Sequence, residues 1–396
     1  MKVFILNCGS SSLKFALCDT ETKLSLIRGQ VDALGQERAY FSVKTKLDSF
    51  EKAVPGVSHR EALDLILEYL QSHGIHHDDF EAIGHRVVHG GDKFQDATVI
   101  DERVKEAIKS CIDLAPLHNP ANLMGIEISQ EIFPGKTQVA VFDTAFHQTI
   151  PPIAYRYSLP TSLYEEHGVR KYGFHGTSHR YIVRQAAKVL KKPVEKCCFI
   201  SAHLGNGCSA TAVKYGKSVD TTMGLTPLEG LVMGTRSGNV DPGLHEFLTR
   251  VMDWDIHKIN NVLNKQSGLL GISGLSSDMR EITTAAKNGH EGAKLAAEIF
   301  SYHLAQAIAS MAINFTHLDA LVLAGGIGEH STTVRSMTLP LLQILGFELD
   351  VLRNEVDGKY SQGVITIEGS SPMAIIVPTN EEIQIALDVE RLLSGN

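Results

Sequence analysis

The feature that most constrains the fold is a strand–turn–strand pattern that occurs twice, about half a chain apart. The first copy joins the apolar run 3–6 and the strand-like run 13–17 through the polar, glycine-containing turn 7–12. The second joins 198–202 and 208–213 through 203–207. Short apolar runs bounded by turn residues predict buried strands. A supersecondary unit repeated within one chain indicates duplication, so we expect two related domains.

Helical patterns alternate with these strands. Apolar residues recur at helical spacing over 61–71, 180–190 and 293–314, and the last of these segments is alanine-rich. A third apolar strand, 318–324, leads into a glycine-rich segment, 325–330, which we expect to be a loop. Strands that alternate with helices predict an α/β fold. The pair Pro151-Pro152 interrupts the chain and marks the predicted domain boundary.

Composition excludes several classes of protein. The 396 residues are 43% hydrophobic and 21% charged, which is ordinary globular usage and not that of a disordered chain. The net charge of −8 argues against a surface that binds nucleic acid or an anionic membrane. No apolar run approaches the roughly 18–20 residues that span a bilayer. The six cysteines are scattered without a Cys-x-x-Cys motif, so we expect reduced thiols and a cytoplasmic protein.

Four polar residues stand in apolar or glycine-rich surroundings. Arg86 follows an apolar run and is either a surface residue at a strand end or a ligand-binding cation. Asp143 ends another apolar run and either caps the next helix or orients a functional group. His175 has glycines close on both sides, which leaves room for a ligand beside what is otherwise a structural histidine. Arg236, in the glycine-rich segment 233–243, is either solvated or part of a site.

Together these segments indicate phosphoryl transfer. Glycine-rich turns offer backbone N–H groups to phosphates, and two arginines can hold charged oxygens. The chain lacks the Gly-x-x-x-x-Gly-Lys-Ser/Thr motif of P-loop enzymes and the His-Arg-Asp and Asp-Phe-Gly motifs of protein kinases. No strand is followed by a dinucleotide-binding Gly-x-Gly-x-x-Gly motif.

Nine motifs, taken in order, resemble those of the acetate and propionate kinase family, which belongs to the superfamily of actin, sugar kinases and Hsp70. They extend along almost the whole chain. The motifs are residues 7–14, 84–91, 116–120, 142–147, 172–179, 203–207, 233–243, 325–329 and 379–382.

The resemblance implies an α/β fold with two related domains of the actin-like ATPase (ribonuclease H-like) type flanking a nucleotide cleft. Residues 1–150 with 381–396 would form the N-terminal domain, and 151–380 the nucleotide-binding domain. The implied reaction is reversible transfer of a phosphoryl group from ATP to acetate, with Mg²⁺ (or Mn²⁺) as cofactor. The implied partners are acetate, ATP and a second copy of the chain in a homodimer, without nucleic acid or a membrane.

The same resemblance assigns the catalytic and metal residues. Asn7 and Glu381 match the residues associated with magnesium. Arg86 and Arg236 match the arginines that hold the acetate carboxylate and the phosphoryl group in flight.

Two further catalytic roles also follow from the resemblance. His175 matches the histidine that stabilises the transferred phosphoryl group, and Asp143 matches the carboxylate that orients an arginine. One departure is Asn239, at a position where the family usually has aspartate, so the charge of that loop differs.

The resemblance also assigns two binding sets. The methyl pocket of the acid would be lined by Val88, Leu117, Phe174 and Pro227. The residues assigned to ATP are Lys14, His203, Leu204, Gly205, Asn206, Gly207, Asp278, Met279, Arg280, Gly326, Ile327, Gly328, Glu329 and His330.

Elementary chemistry agrees with these assignments. A carboxylic acid with a pKa near 4–5 is ionised at neutral pH, so its phosphorylation requires no general base. The barrier is repulsion between two anions, which positive charge and alignment lower. We therefore expect direct in-line transfer without a phosphoenzyme.

Alternative functions remain open from the sequence. A propionate or other short-chain carboxylate kinase would use the same chemistry with a larger pocket. An actin- or Hsp70-like conformational ATPase would not need two arginines and a histidine for a second anion, and it would hydrolyse ATP without acetate. A structural or binding module would leave the polar motifs without a purpose.

Overall fold

The computed structural model describes residues 1–45 and 48–395. The chain divides into two compact units. Unit 1 comprises Met1–Gln148 and Asn380–Asn396, and unit 2 comprises Thr149–Thr379. Asn396, the end of the predicted segment 381–396, lies outside the described residues. The predicted domain boundaries at 150/151 and 380/381 stay a prediction. In the described part of the chain, no helix combines the length and apolarity needed to cross a membrane.

Within the described residues, unit 1 contains a sheet of eight strands in the order β5-β4-β3-β2-β1-β6-β8-β7. Strands β1 to β5 form an antiparallel meander, whereas β1 pairs with β6, and β6 with β8, in parallel. The strands are β1 (Lys2–Cys8), β2 (Ser12–Asp19), β3 (Leu24–Asp32), β4 (Tyr40–Thr45), β5 (Ser49–Ala53), β6 (Ala82–Val87), β7 (Thr98–Val99) and β8 (Thr137–Phe142).

The helices of unit 1 pack on this sheet. They are α1 (His59–Ser72), α2 (Glu102–Ser110), α3 (Asn119–Ile132) and α15 (Glu381–Ser394). A capping box between Ser58 and Glu61 begins α1. Helix α15 approaches β6 so closely that a Cβ at Gly84 would stand 2.8 Å from the Ile385 side chain. Gly84 therefore permits the contact that brings the start of α15 to the edge of the sheet.

Unit 2 contains, among the described residues, a sheet of five strands in the order β11-β10-β9-β12-β13. Here too a three-stranded antiparallel meander is followed by two parallel strands. This order matches β3-β2-β1-β6-β8 of unit 1, which confirms the predicted internal repeat. The strands are β9 (Cys198–Leu204), β10 (Cys208–Lys214), β11 (Lys217–Thr221), β12 (Ala320–Ala324) and β13 (Met373–Ile376).

The remaining helices belong to unit 2. They are α4 (Pro152–Tyr155), α5 (Thr161–His167), α6 (Gly176–Val189), α7 (Leu244–Met252), α8 (Ile256–Lys265), α9 (Gly268–Ser273), α10 (Met279–Lys287), α11 (Glu291–Met311), α12 (Gly325–His330), α13 (Thr332–Thr338) and α14 (Val351–Glu355). The predicted helix 293–314 corresponds to α11 followed by the 3-10 turn Ala312–Asn314.

The prediction that 325–330 is a loop was wrong, because these residues form α12. Gly325 supplies the left-handed bend (φ +75°) between β12 and the helix, which a glycine adopts without steric penalty. The carboxylate of Glu329, one turn later, accepts a hydrogen bond from the Gly325 N–H at 2.9 Å. These two features stabilise a helix in a sequence of low helix propensity.

Candidate active site

In unit 1, Arg86 and Asp143 form a two-point ion pair. Arg86 lies on β6, and Asp143 follows the neighbouring parallel strand β8. Arg86 donates from Nε and Nη2 to the two oxygens of Asp143, at 3.0 and 2.8 Å. Asp143 is 2% exposed, so this pairing holds the guanidinium plane in a fixed orientation.

A second carboxylate faces the same guanidinium. Glu381, the first residue of α15, lies with Oε2 3.7 Å from Nη1 of Arg86. Burial works against the charged form of Arg86, but the carboxylates of Asp143 and Glu381 outweigh it and raise the pKa of the guanidinium. Arg86 therefore stays a cation, and its Nη1 edge is not used by Asp143.

The predicted metal residues fit a hard divalent cation. Asn7, on β1, and Glu381 are half-buried, and both offer oxygen atoms, the donors that Mg²⁺ prefers. Glu382 also acts electrostatically on Arg86. The cluster thus holds one positive charge and three negative ones, and a divalent cation would balance this excess of negative charge.

Two buried asparagines that the sequence analysis missed hold the segment after β6. Asn122 accepts from the Val88 N–H at 3.0 Å and donates to the Cys8 carbonyl at 2.7 Å. Asn119 accepts from the His89 N–H and donates to the His89 carbonyl. The available sequence signal was a pair of asparagines three residues apart, a spacing that places both side chains on one face of a helix.

The predicted methyl-pocket residues lie in both units. Val88 is half-buried and Leu117 is 61% exposed, both in unit 1. Phe174 is buried and Pro227 half-buried, both in unit 2. Their common role stays a prediction.

In unit 2, His175 precedes α6 in a left-handed backbone conformation (φ 56°, ψ 21°). This conformation is uncommon for residues other than glycine and is enriched at functional sites. The ring is held from two sides, since Nδ1 lies 2.9 Å from the Ser209 hydroxyl and the His203 ring lies 4.5 Å away between centroids. His203 in turn lies 2.8 Å from the hydroxyl of Ser178.

Arg236 and His175 converge beside Gly207. A Cβ at Gly207 would stand 3.2 Å from Nη2 of Arg236 and 3.5 Å from Nε2 of His175. Arg236 also donates from Nη1 to the Pro227 carbonyl at 2.6 Å. Glycine at position 207 therefore leaves open a small space that a cation and an imidazole share.

The two arginines differ electrostatically. Among the described residues, Arg236 forms no salt bridge, and burial lowers the pKa of its guanidinium. An arginine still remains charged. Arg236 is therefore a partly desolvated cation that pairs with no carboxylate of the described residues, which favours an incoming anion.

A cavity of about 470 Å³ lies in unit 2. Most of the predicted ATP-binding residues line it, together with three that the sequence analysis missed: Ser277, Thr283 and Ser331. The predicted residues that line it are Gly205, Asn206, Asp278, Met279, Arg280, Gly326, Ile327 and His330.

Other predicted ATP-binding residues lie elsewhere. Lys14 is exposed on β2 of unit 1. His203 and Leu204 end β9, whereas Gly328 is buried within α12. Glu329 has a structural contact, because its carboxylate accepts from the N–H groups of Gly325 and Thr379.

Asn239, the departure from the family pattern, closes its own loop. Its Oδ1 accepts from the Gly230 N–H at 2.8 Å, and its N–H donates to the Gly230 carbonyl at 3.0 Å. The side-chain oxygen of asparagine performs the acceptor role that a carboxylate oxygen could perform, without the negative charge.

Comparison with known proteins gives full-length matches. The Acetokinase family model matches residues 2–387. Acetate kinases of Deinococcus deserti and Stutzerimonas stutzeri are each 50% identical to this chain, and the matches cover 100% and 99% of it and 98% and 99% of the relatives. A propionate kinase from Francisella tularensis has a TM-score of 0.93 at 46% identity, with 98% of both chains covered. Porphyromonas gingivalis acetate kinase has a TM-score of 0.93 at 41% identity, with 99% of both covered.

The fold and the family now agree. The two sheets with the same strand order, and the close match to these solved kinases, identify the actin-like ATPase fold. The chain belongs to the acetokinase family and is a kinase that transfers a phosphoryl group to a carboxylate.

Proposed function

We propose that this kinase transfers the γ-phosphoryl group of ATP to acetate, giving acetyl phosphate and ADP, in a reversible, Mg²⁺-dependent reaction. The observation that carries the proposal is the convergence of Arg236 and His175 beside Gly207. Gly205 and Asn206, the two residues that precede Gly207, line the cavity of unit 2. A cation and a hydrogen-bond donor therefore stand next to the cavity that would hold the nucleotide.

The cavity suits a nucleotide. Its volume of about 470 Å³ is in the range of small-molecule sites. At the α10 end of the lining, Asp278 caps the helix by accepting from the Arg280 N–H and pairs with the Arg280 guanidinium. We assign ATP to this cavity.

Chemistry on the phosphoryl group needs charge compensation more than proton transfer. As negative charge develops on the equatorial oxygens, Arg236 and His175 would donate hydrogen bonds to them. The acetate carboxylate attacks directly, because it is already ionised. In-line attack on the γ-phosphorus would give inversion of configuration, whereas a phosphoenzyme would give retention.

Arg86 is assigned to the carboxylate of the acceptor. Asp143 occupies its Nε and Nη2 groups, so Nη1 is left to interact with a second anion. Fixing one edge of the guanidinium in this way orients the other edge before the substrate binds. Asp143 is thus a positioning residue for Arg86.

Mg²⁺ would be held by Asn7 and Glu381, and it would neutralise charge on the triphosphate when bound. Glu381 is suited to this because Arg86 donates its two short hydrogen bonds to Asp143. The distance from Nη1 of Arg86 to Oε2 of Glu381 is long, at 3.7 Å. Asn7 adds a neutral oxygen from the central strand β1.

Propionate is the second candidate acceptor, since one structural relative is a propionate kinase. One methylene in an apolar pocket changes discrimination by only about 1–3 kcal/mol. The preference between the two acids should therefore be graded. A conformational ATPase is disfavoured, because hydrolysis alone requires no second arginine such as Arg86.

We further propose a cytoplasmic homodimer. All six cysteines are free and buried, as suits a reducing compartment. Helix α7 of unit 2 has no buried residue, and Phe247, Val251 and Met252 on it are 50–54% exposed. Adjacent exposed apolar side chains of this kind mark interaction surfaces. Light scattering of the protein and of Phe247→Glu would test whether α7 contributes to a dimer.

The activity test is turnover of Mg²⁺-ATP with acetate, propionate and butyrate in parallel, with acyl phosphate trapped as the hydroxamate. Acetate ahead of the others supports the proposal, and propionate ahead keeps the mechanism but changes the acceptor. Phosphate release without any acyl phosphate would indicate the ATPase instead. Chelation of the metal should abolish transfer, and chiral γ-phosphate would report inversion.

A further inference from the structure

A chain of hydrogen bonds extends from His175 into the interior of unit 2. Its Nδ1 lies 2.9 Å from the hydroxyl of Ser209, and that hydroxyl lies 2.8 Å from Nε2 of His179. Nδ1 of His179 lies 2.8 Å from the hydroxyl of Ser201. Ser201 donates to the carbonyl of Thr211 at 3.4 Å.

The chain is sealed from solvent. Ser209, His179 and Ser201 each have 0% exposure. They come from three elements, since Ser209 is on β10, His179 on α6 and Ser201 on β9. Water cannot exchange with these partners, and an unmade hydrogen bond in such a place is costly. Each hydroxyl and ring nitrogen is therefore constrained by the next.

The direction of the chain is part of the inference, and the far end supports one direction. The Ser201 hydroxyl has the carbonyl of Thr211, which only accepts, within reach; with its hydrogen directed there, Ser201 accepts from Nδ1–H of His179. A neutral His179 then has a bare Nε2, which accepts from the hydroxyl of Ser209. The Ser209 oxygen is left to accept, and its donor is Nδ1–H of His175.

We propose that Ser209 and His179 are positioning residues that fix the orientation and protonation of His175, the group assigned to the phosphoryl oxygens. Because Nδ1 holds one proton toward Ser209, Nε2 carries a proton only when the ring is an imidazolium. His175 thus acts on the phosphoryl group as a cation alongside Arg236. This inference rests on the role given to His175 in the proposed function.

Among the described residues of unit 2, the groups near the His175 ring include the guanidinium of Arg236, the ring of His203 and, beyond Ser209, the ring of His179. Cys208 precedes Ser209 on β10. Burial raises the pKa of the Cys208 thiol to about 12, so it stays neutral. Arg236 opposes protonation of the ring in the free enzyme, whereas the anionic oxygens of the substrate favour it.

The kinetic test removes the Ser209 hydroxyl. Ser209→Ala should lower kcat by roughly 3- to 10-fold, the range for one hydrogen bond, with the KM for ATP unchanged. Ser209→Thr, which keeps the hydroxyl, should restore most of the rate. In a His175→Ala background, Ser209→Ala should cause no further loss, because the pair acts as one unit. Ser218→Ala, a buried serine on β11 outside the chain, is the matched control.

The pH profile separates positioning from a merely structural role. The rate advantage of the parent enzyme over His175→Ala should decline as pH rises and the imidazolium is lost. The rate advantage of Ser209→Ala over the Ser209→Ala/His175→Ala double variant should be smaller at low pH. It should also vary less with pH, since a neutral His175 ring can then place its proton on Nε2. An equal loss from Ser209→Ala in both backgrounds, or identical pH profiles, would overturn the proposal.

A spectroscopic measurement is independent of turnover. In protein labelled with ¹⁵N-histidine, long-range ¹H–¹⁵N spectra report which nitrogen is protonated, and His175→Gln assigns the signal. The neutral ring of His175 should carry its proton on Nδ1 in the parent, and lose this preference in Ser209→Ala. A proton on Nε2 in the parent would refute the inference even if acetyl phosphate forms. Absence of acyl phosphate with the Nδ1 tautomer present would refute the catalytic role instead.

Discussion

Replacement of Asp143 by asparagine is the sharpest perturbation of the acceptor site. The side chain keeps its shape and one oxygen, which can still accept from Nε–H of Arg86. The other oxygen becomes an NH₂ group, which faces Nη2–H at what was a 2.8 Å hydrogen bond. One charge-assisted hydrogen bond is thus lost. The new NH₂ group and Nη2–H of Arg86, both donors, would then face each other at position 143, where the native side chain is buried (2% exposed).

The magnitude follows from the geometry. A hydrogen bond between charged groups contributes about 1.5–3 kcal/mol, and each 1.36 kcal/mol corresponds to tenfold in rate, so kcat/KM for acetate should fall about 10- to 150-fold. Breaking a fully buried ion pair costs about 3–5 kcal/mol of stability. Arg86 is 21% exposed and keeps Glu381 nearby, so we expect a smaller loss, about 1–3 kcal/mol.

The assay is hydroxamate trapping over a range of acetate and ATP concentrations, with urea unfolding in parallel. The KM for ATP should change less than the KM for acetate, because Asp143 contacts Arg86, the residue assigned to the acceptor, and does not line the cavity assigned to ATP. Asp96→Asn is the matched control, since Asp96 pairs with both terminal nitrogens of Arg391 in unit 1 but is more exposed. A change in kcat/KM below threefold, or an equal loss in the control, would refute the positioning role.

Three further predictions concern other parts of the molecule. Val88→Ala should raise kcat/KM for propionate relative to acetate several-fold, and an unchanged ratio would show that Val88 does not line the methyl pocket. Gly207→Ala should lower kcat about 10- to 100-fold without loss of thermal stability, because the new Cβ would stand 3.2 Å from Nη2 of Arg236 and displace it. Burial lowers the pKa of His85 and His89 to about 4 each. Below pH 6.5 the unfolded chain therefore binds protons at these two histidines that the native state does not bind. The free energy of unfolding should fall between pH 6.5 and 4 by up to about 3 kcal/mol per histidine, which urea titrations would measure.

The sequence predicted the fold where one local signal dominated. The two hairpins and the helix 293–314 were predicted correctly, because apolar periodicity is strong there and tertiary contacts only reinforce it. The helix at 325–330 could not be predicted from three glycines. It depends on a hydrogen bond from the Gly325 N–H to the Glu329 carboxylate, which offsets the poor helix propensity of the glycines.

The site was harder to predict than the fold. Motifs and resemblance pointed to Arg86 and Arg236, but their roles stay predictions, and only coordinates give the two-point pairing of Arg86 with Asp143. Ser209 was missed because it lies in a strand whose residues before Lys214 are all apolar or small. A hydroxyl at a fully buried strand position was the available signal, since such a group must find a partner.

The two arginines have different surroundings, and under the proposed function this difference bears on how ATP hydrolysis would be disfavoured. Arg86 has two carboxylates as neighbours, so its charge is largely compensated, and in the proposed function its Nη1 edge would orient the carboxylate of the acceptor. Arg236 has a backbone carbonyl and, among the described residues, no salt bridge, so its desolvation is compensated when an anion binds. Under the proposed function, Arg236 would gain most from the anionic oxygens around the transferring phosphorus, and a contact that strengthens in the transition state lowers the barrier rather than only tightening binding. Water has no carboxylate for Nη1 of Arg86 to bind, so the same proposal makes it a poor competitor for the acceptor position.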